Sequence, residues 1–383
     1  MDVITTTEKL ADFVAALRAE PFVAVDTEFM RERTYWPILC LVQAAANGVD
    51  GVIDPLADDL DLAPFVDLLA DRSVVKVFHA ARQDVEIFFR LTGAPPTPMF
   101  DTQIAAMACG FGDQIGYEPL MRSLLGAQID KGSRFTDWSR RPLSDNQLAY
   151  ALSDVTHLRD AFPILRRRLE ETGRAAWVAE EMDALAEPAL YHTEPADAWR
   201  RLKLRGVRRQ DLGPILKLAE WREREAQTRD LPRGRVLKDE AIFEVARLKP
   251  SNAAELSRAR SISKGAEKSR AGAAILEAVT AGRAIAPEDL PHVERNDRRA
   301  APPPADVVDL LKVLLKRQCE AYDVAPRLIA SSADIEELAR AANADVPANH
   351  GWRREVFGAP AQALMRGETA LRLVDGKIAL SET

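Results

Sequence analysis

Apolar and polar positions divide the chain into two regimes. Through residue 165, short apolar runs alternate with stretches whose apolar positions recur every three to four residues. The runs predict strands at 22–26, 38–44 (ILCLVQA), 49–54 (VDGVID) and 74–78 (VVKVF), with a short one near Met99–Asp101. The longer periods predict helices at 63–71, 82–91, 102–109 and 145–170. Such alternation argues an α/β domain around one mixed sheet. The first three strands follow closely enough to form an antiparallel meander, and helices separate the later ones. From about residue 175 the β signals nearly vanish and the chain reads as helical.

Within that helical half lies a repeat. Leu218–Arg247 aligns without gaps to Leu311–Arg340 at an offset of 93, pairing Leu218/Leu311, Arg224/Arg317, Asp230/Asp323, Ile242/Ile335, Glu244/Glu337, Ala246/Ala339 and Arg247/Arg340. Apolar positions coincide as well, among them Val236 with Ile329 and Val245 with Leu338. Two related helical modules explain this better than chance. Between them Ala281–Asp306 mixes proline and charge with few apolar residues, and reads as a linker.

The first predicted strand breaks its own pattern. FVAVDTEFM, residues 22–30, starts as a buried strand and then delivers Asp26 and Glu28. Side chains alternate faces along a strand, so the two carboxylates share a face, opposite Val25 and Thr27. Unpaired burial of two like charges costs several kcal/mol. The run by itself leaves two readings open: a strand that has reached solvent, or a divalent-metal site.

Composition narrows the class. Of 383 residues, 47% are hydrophobic and 29% charged, an ordinary globular balance with room for two or three domains. No apolar stretch reaches the roughly 18 residues of a membrane span. The start, MDVITTTEKL, lacks the basic and apolar regions of a signal peptide. Cys40, Cys109 and Cys319 are too far apart for a zinc pattern or disulfide framework, so a cytoplasmic location is expected. The net charge of −7 argues against nucleic acid, but its distribution argues otherwise. Arg200–Arg270 holds 20 Lys+Arg against 10 Asp+Glu, a local +10 that leaves −17 elsewhere. A surplus of that size over one segment favours an anionic partner over a merely solvated face.

Two further acids stand at privileged places. VVKVFHAARQDVEIFF is a strand followed by a helix with Asp84 in its first turn, where an acid also simply suits the helix dipole. NQLAYALSDVTHL carries Tyr150 and Asp154 at i, i+4, on one helix face, with Asp154 among Ala151, Leu152, Val155 and Leu158. No G-x-x-x-x-G-K-[ST] occurs, so a P-loop motor has no support.

In this order, Asp-x-Glu, a later Asp and Tyr-x-x-x-Asp resemble the tyrosine-bearing branch of the DEDD exonucleases. DTEFMRE, FHAARQDVEIF, FDTQIAA and TDWSRRPLSDNQLAYALSDVTHL are similar to blocks of its bacterial ribonuclease D family. The helical modules resemble the tandem HRDC domains of that family, PRLIASSADIEELA and GWRREVFG matching the second. The resemblance covers nearly the whole chain apart from linkers. It implies a ribonuclease H-like α/β exonuclease domain at 1–190, a first HRDC-like domain at 199–283, a linker at 284–304 and a second HRDC-like domain at 305–375.

The resemblance further implies a 3′–5′ exoribonuclease with two divalent cations, Mg²⁺ or Mn²⁺, held by Asp26, Glu28, Asp84 and Asp154. Four carboxylates return about −4 to the +4 of two such ions, which lets Asp26 and Glu28 tolerate each other. Tyr150 would sit beside the attacking water; a phenol pKa of about 10 makes it a poor base at neutral pH and favours an orienting role. Phe29 and Trp138 are candidates for stacking on terminal bases, and Thr27 and Arg141 for the 3′ end or phosphate. His79 reads as packing or hydrogen bonding, His157 as a helix-face residue, and Asp101 as structural. The implied partner is RNA with an unpaired 3′ end, such as a tRNA precursor, with no membrane and no obligate protein partner. The alternatives are a DNA-directed exonuclease with the same acids and an inactive RNA-binding scaffold.

Overall fold

A computed structural model describes residues 3–129, 132–133, 136–291 and 302–383. The chain separates into two compact units, one of Met1–Glu28, Leu39–Pro188 and Ala301–Thr383, the other of Phe29–Ile38 and Ala189–Ala300.

The first unit opens with β1 (Val3–Ile4), α1 (Thr7–Arg18), β2 (Phe22–Met30), β3 (Ile38–Ala46) and β4 (Val49–Ile53). It continues with α2 (Ala63–Ala70), β5 (Val75–Phe78), α3 (Arg82–Thr92), β6 (Met99–Asp101) and α4 (Thr102–Ala108). Helices α5 (Tyr117–Leu125), α6 (Asp145–Glu171) and α7 (Ala175–Leu185) follow. The six strands form one sheet in the order β1-β4-β3-β2-β5-β6. The three strands expected as a meander are neighbours, and β3 runs antiparallel to β4 with Val42 opposite Ile53. β5 runs parallel to β2, and β6 parallel to β5. The sequence reading lacks β1, α1 and α5. α1 is nonetheless a regular amphipathic helix: Thr6 caps it and Leu10, Val14 and Leu17 fall on its buried face.

One register detail places the site. The parallel pairing aligns Ala24 with Val77, so β2 carries Asp26 and Glu28 beyond the end of β5 at Phe78. The chain leaves β5 at that same edge and turns into α3, which brings Asp84 there. Carboxyl ends of parallel strands are where α/β sheets form their sites. Within the sheet, Lys76 on β5 is fully buried and donates to the carbonyls of Asp71 (2.7 Å), Val74 (2.8 Å) and Thr97 (2.7 Å).

The second unit contains α8 (Arg209–Arg229), α9 (Arg233–Val236), α10 (Asp239–Leu248), α11 (Ala253–Leu256) and α12 (Arg270–Arg283) around Ile215, Leu218, Ile242, Val245, Leu256 and Val279. Helices α8 and α12 cross at Gly213 and Gly282. A Cβ on Gly213 would come within 2.2 Å of the Gly282 carbonyl oxygen, so the crossing admits only glycine.

The repeat in sequence is also one in structure. In the first unit α13 (Ala305–Tyr322), α14 (Pro326–Ile329) and α15 (Ser332–Arg340) restate α8, α9 and α10 at the same offset. Both long helices end in an aspartate of left-handed backbone, Asp230 and Asp323, each at φ 49°. Residues 305–365 pack on the sheet domain: Trp352 stacks on Trp177 at 4.2 Å, and the Ala325 amide donates to the Met107 carbonyl at 2.9 Å. Of the expected linker, residues 292–301 lie outside the described residues.

The expectation of an all-helical second half is corrected at its end. β7 (Thr369–Val374) and β8 (Lys377–Glu382) form an antiparallel hairpin. Its turn is Asp375-Gly376, both at positive φ, the strongest short hairpin signal. The helical reading of the segment passed over it.

Candidate active site

Ligand oxygens of Asp26, Glu28 and Asp154 lie within 4.8 Å of one another. The first two come from the overhang of β2. Asp154 comes from the middle of α6, a helix started by a Ser144–Gln147 capping box and held down by Leu148, Ala151, Val155 and Leu158. Asp84 adjoins this cluster through Thr27, whose hydroxyl donates to the Asp84 carboxylate. Asp84 is buried, and burial together with the Asp26 charge pushes its pKa up. Burial pushes Asp26 up to about 6.

Tyr150 stands beside Asp154 and donates a hydrogen bond to its carboxylate. Burial, then the charges of Asp154, Glu28 and Asp26, raise the phenol further above its ordinary range. It therefore holds its proton at neutral pH. The Trp138 ring packs at 6.1 Å from that of Tyr150.

Asp101 explains how Asp84 is aimed. Its carboxylate accepts from the amides of Ala80 (3.0 Å) and Ala81 (2.8 Å) and also caps α4 through Gln103 (2.7 Å). Ala80 has a left-handed backbone, φ 56°, uncommon for a residue with a Cβ, and the Asp101 bond fixes that turn into α3. His79 is a packing residue, with Nδ1 3.0 Å from the Thr102 hydroxyl and its ring edge-on to Tyr117. His157 Nδ1 lies 2.7 Å from the Ser153 carbonyl, on the helix face. Tyr117 is absent from the sequence reading; its hydroxyl donates to the backbone carbonyls of Ser153 and Asp154, bracing α6 where it carries the carboxylate.

Three of the four residues expected to touch substrate are committed within the fold. Arg141 spends its five N–H groups on Asp54 (2.6 Å twice) and on the carbonyls of Trp138, Arg140 and Cys40. It brackets the segment before α6 and has no donor left for a phosphate. Trp138 is 2% exposed, too enclosed to stack on a base. Thr27 is buried and bonded to Asp84. Phe29, half-buried on β2, follows Glu28 directly.

The donor set suits hard divalent cations: four carboxylates at one sheet edge, with burial driving two of them toward neutrality. An added positive charge would relieve that cost, which is what a metal site requires.

A family described as 3′-5′ exonuclease matches residues 1–170, and the HRDC domain family matches residues 214–279. Ribonuclease D of Granulibacter bethesdensis is 52% identical over 374 residues, spanning 98% of this chain and 94% of that protein. The chain belongs to the ribonuclease D family. Ribonuclease D of Nitrobacter hamburgensis is 48% identical over 380 residues, 99% of this chain and 98% of that one. Escherichia coli ribonuclease D, described as an exoribonuclease involved in structured RNA processing, aligns with a TM-score of 0.84 at 30% identity, covering 95% of this chain and 98% of its own. The chain is thus a 3′–5′ exoribonuclease with a ribonuclease H-like mixed-sheet domain followed by HRDC-type helices.

Proposed function

We propose that this protein trims RNA with an unpaired 3′ end, such as tRNA precursors and other small structured RNAs, releasing nucleoside 5′-monophosphates in the cytoplasm. The reading rests on the cluster of Asp26, Glu28 and Asp154 with Tyr150 hydrogen-bonded to Asp154. Asp26, Glu28, Asp84 and Asp154 would hold two divalent cations, Mg²⁺ or Mn²⁺. When bound, these supply water activation and stabilisation of the departing 3′-oxygen. The chain's own groups do the positioning. Tyr150, proton retained, orients the attacking water. Thr27 fixes the Asp84 carboxylate, and Asp101 fixes the turn before it. Phe29 stacks on a terminal base.

The first helical module, roughly 199–283, would hold RNA by its backbone. Arg205, Arg235, Arg258, Arg260, Lys264 and Lys268 are all exposed on it, as a phosphate-tracking surface requires. Catalysis belongs to 1–190, and the 305–375 module, with DIEELAR where the first has AIFEVAR, contributes less charge.

The deciding experiment incubates a 5′-labelled RNA bearing an unpaired 3′ tail with and without Mg²⁺ or Mn²⁺, beside a matched DNA. A ladder shortening one nucleotide at a time on RNA, only with metal, is expected. Equal shortening of DNA would favour the DNA-directed reading; no product with either metal would leave an RNA-binding scaffold.

A further inference from the structure

Residues 29–38 comprise the last two residues of β2, directly after Glu28, the loop 31–37 and the first residue of β3. Yet they group with the first helical module. Asp230 accepts the amides of Tyr35 (3.1 Å) and Trp36 (2.9 Å), and the Trp36 indole donates to the Gln227 carbonyl (3.4 Å). The Tyr35 hydroxyl donates to Glu223 and receives from Arg233 (2.8 Å) and Gln227 (3.2 Å). The Arg233 guanidinium lies 4.6 Å over the Tyr35 ring, and Glu223 is fully buried. A buried network with its members satisfied defines one geometry. Holding RNA by its phosphates needs exposed cations and gains nothing from it.

We propose that the first helical module positions the catalytic strand: Asp230 and Tyr35 are positioning residues that fix the 29–38 segment and through it Glu28 and Phe29. This rests on the exonuclease reading above. The repeat supplies an internal control. Asp323, the equivalent of Asp230, lies against Gly110 and 3.5 Å from Arg168, which is near the far end of α6, 14 residues beyond Asp154, and among the described residues it makes no bond to the segment that follows Glu28.

The test uses the full chain. Asp230→Gly removes the carboxylate while accepting φ 49° freely, Asp230→Asn keeps an acceptor oxygen and tolerates that backbone, and Tyr35→Phe removes one hydroxyl. Turnover and KM are measured on a single-stranded RNA, and Mn²⁺ binding by thermal shift without RNA. Expected for Asp230→Gly and Tyr35→Phe are a kcat lowered roughly tenfold, a KM within about twofold and a Mn²⁺ midpoint raised several-fold, since small misplacements near the chemistry are costly. Asp230→Asn should recover most of the loss, and Asp323→Gly should change neither kcat nor midpoint. A folded Asp230→Gly with wild-type kcat and Mn²⁺ midpoint, or a change confined to KM, would overturn the proposal. Should Asp230→Gly fail to fold, Tyr35→Phe decides by the same criteria. If the wild type cuts no RNA, the exonuclease reading fails, while the Mn²⁺ midpoints still judge the positioning.

Discussion

The sheet edge and the first helical module both bury carboxylates, and they treat them in opposite ways. In the module, burial pushes Glu223 up, but hydrogen bonds from Arg233 and Tyr35 outweigh it and leave the carboxyl below its ordinary range. Asp211 is handled alike by Lys249 (2.9 Å) and Arg208 (2.7 Å). At the sheet edge burial wins: Asp26 is pushed up to about 6, and Asp84 is driven upward by burial and by Asp26. A buried acid matched by cations belongs to the scaffold. One left mismatched is held ready for charge that arrives from outside.

Neutralising an acid should therefore have opposite consequences in the two regions. Asp26→Asn or Asp154→Asn should lower RNA hydrolysis at least about a thousandfold with the fold kept, since each variant preserves shape and removes a ligand charge. A near wild-type rate in excess Mg²⁺ would dissolve the distinction. Glu223→Gln should lower the unfolding free energy read from a urea titration by about 3 kcal/mol, because Arg233 loses its charged partner; an unchanged midpoint would mean that the pairing is incidental.

Tyr150→Phe sharpens the contrast within the edge itself. Single-turnover rates should fall roughly 10- to 100-fold with the Mn²⁺ midpoint nearly unchanged, as for a group that orders water without binding metal. An equal loss of metal affinity would make Tyr150 part of the ligand set. On the module, replacing Arg258, Arg260, Lys264 and Lys268 by Gln should flatten the log–log salt dependence of RNA binding by up to about three units, at roughly 0.7 per phosphate. An undiminished slope would move the RNA to another surface.

The smallest effect is one of pH. In metal-free protein the Asp26 carboxyl favours the folded state fully below about pH 3.8 and loses that contribution as pH rises through about 6. Asp26→Asn should thus melt a few degrees higher than wild type at pH 7 in chelator, with the difference vanishing near pH 4. A constant difference across that range would place its cause elsewhere.

Much of this was legible in the chain, because periodicity and burial coincide along β2, β5, α3 and α6. The acids were conspicuous since Asp26, Glu28 and Asp154 interrupt apolar patterns, and the structure gathers them. Arg141 shows where such reading stops: its partners Asp54 and Cys40 lie 87 and 101 residues away, and only the fold reveals that its donors are spent. Tyr117 is similar, 37 residues from the Asp154 carbonyl that it supports. The Asp375-Gly376 hairpin is a different miss, a local signal overridden by the helical surroundings. The tandem modules were legible as a repeat, but not that the first of them ties down residues 29–38.

Lys76 has a use beyond its structural one. Its amine is enclosed in the sheet and occupied by three carbonyls, whereas the Lys264 amine is exposed. An amine-reactive reagent should modify Lys264 at once and reach Lys76 only when β5 parts from its neighbours. Because β5 lies between β2 and β6, that opening also dismantles the edge where the carboxylates meet. The rate at which Lys76 acquires label, read by peptide mass spectrometry, is a built-in clock for the lifetime of the assembled catalytic edge.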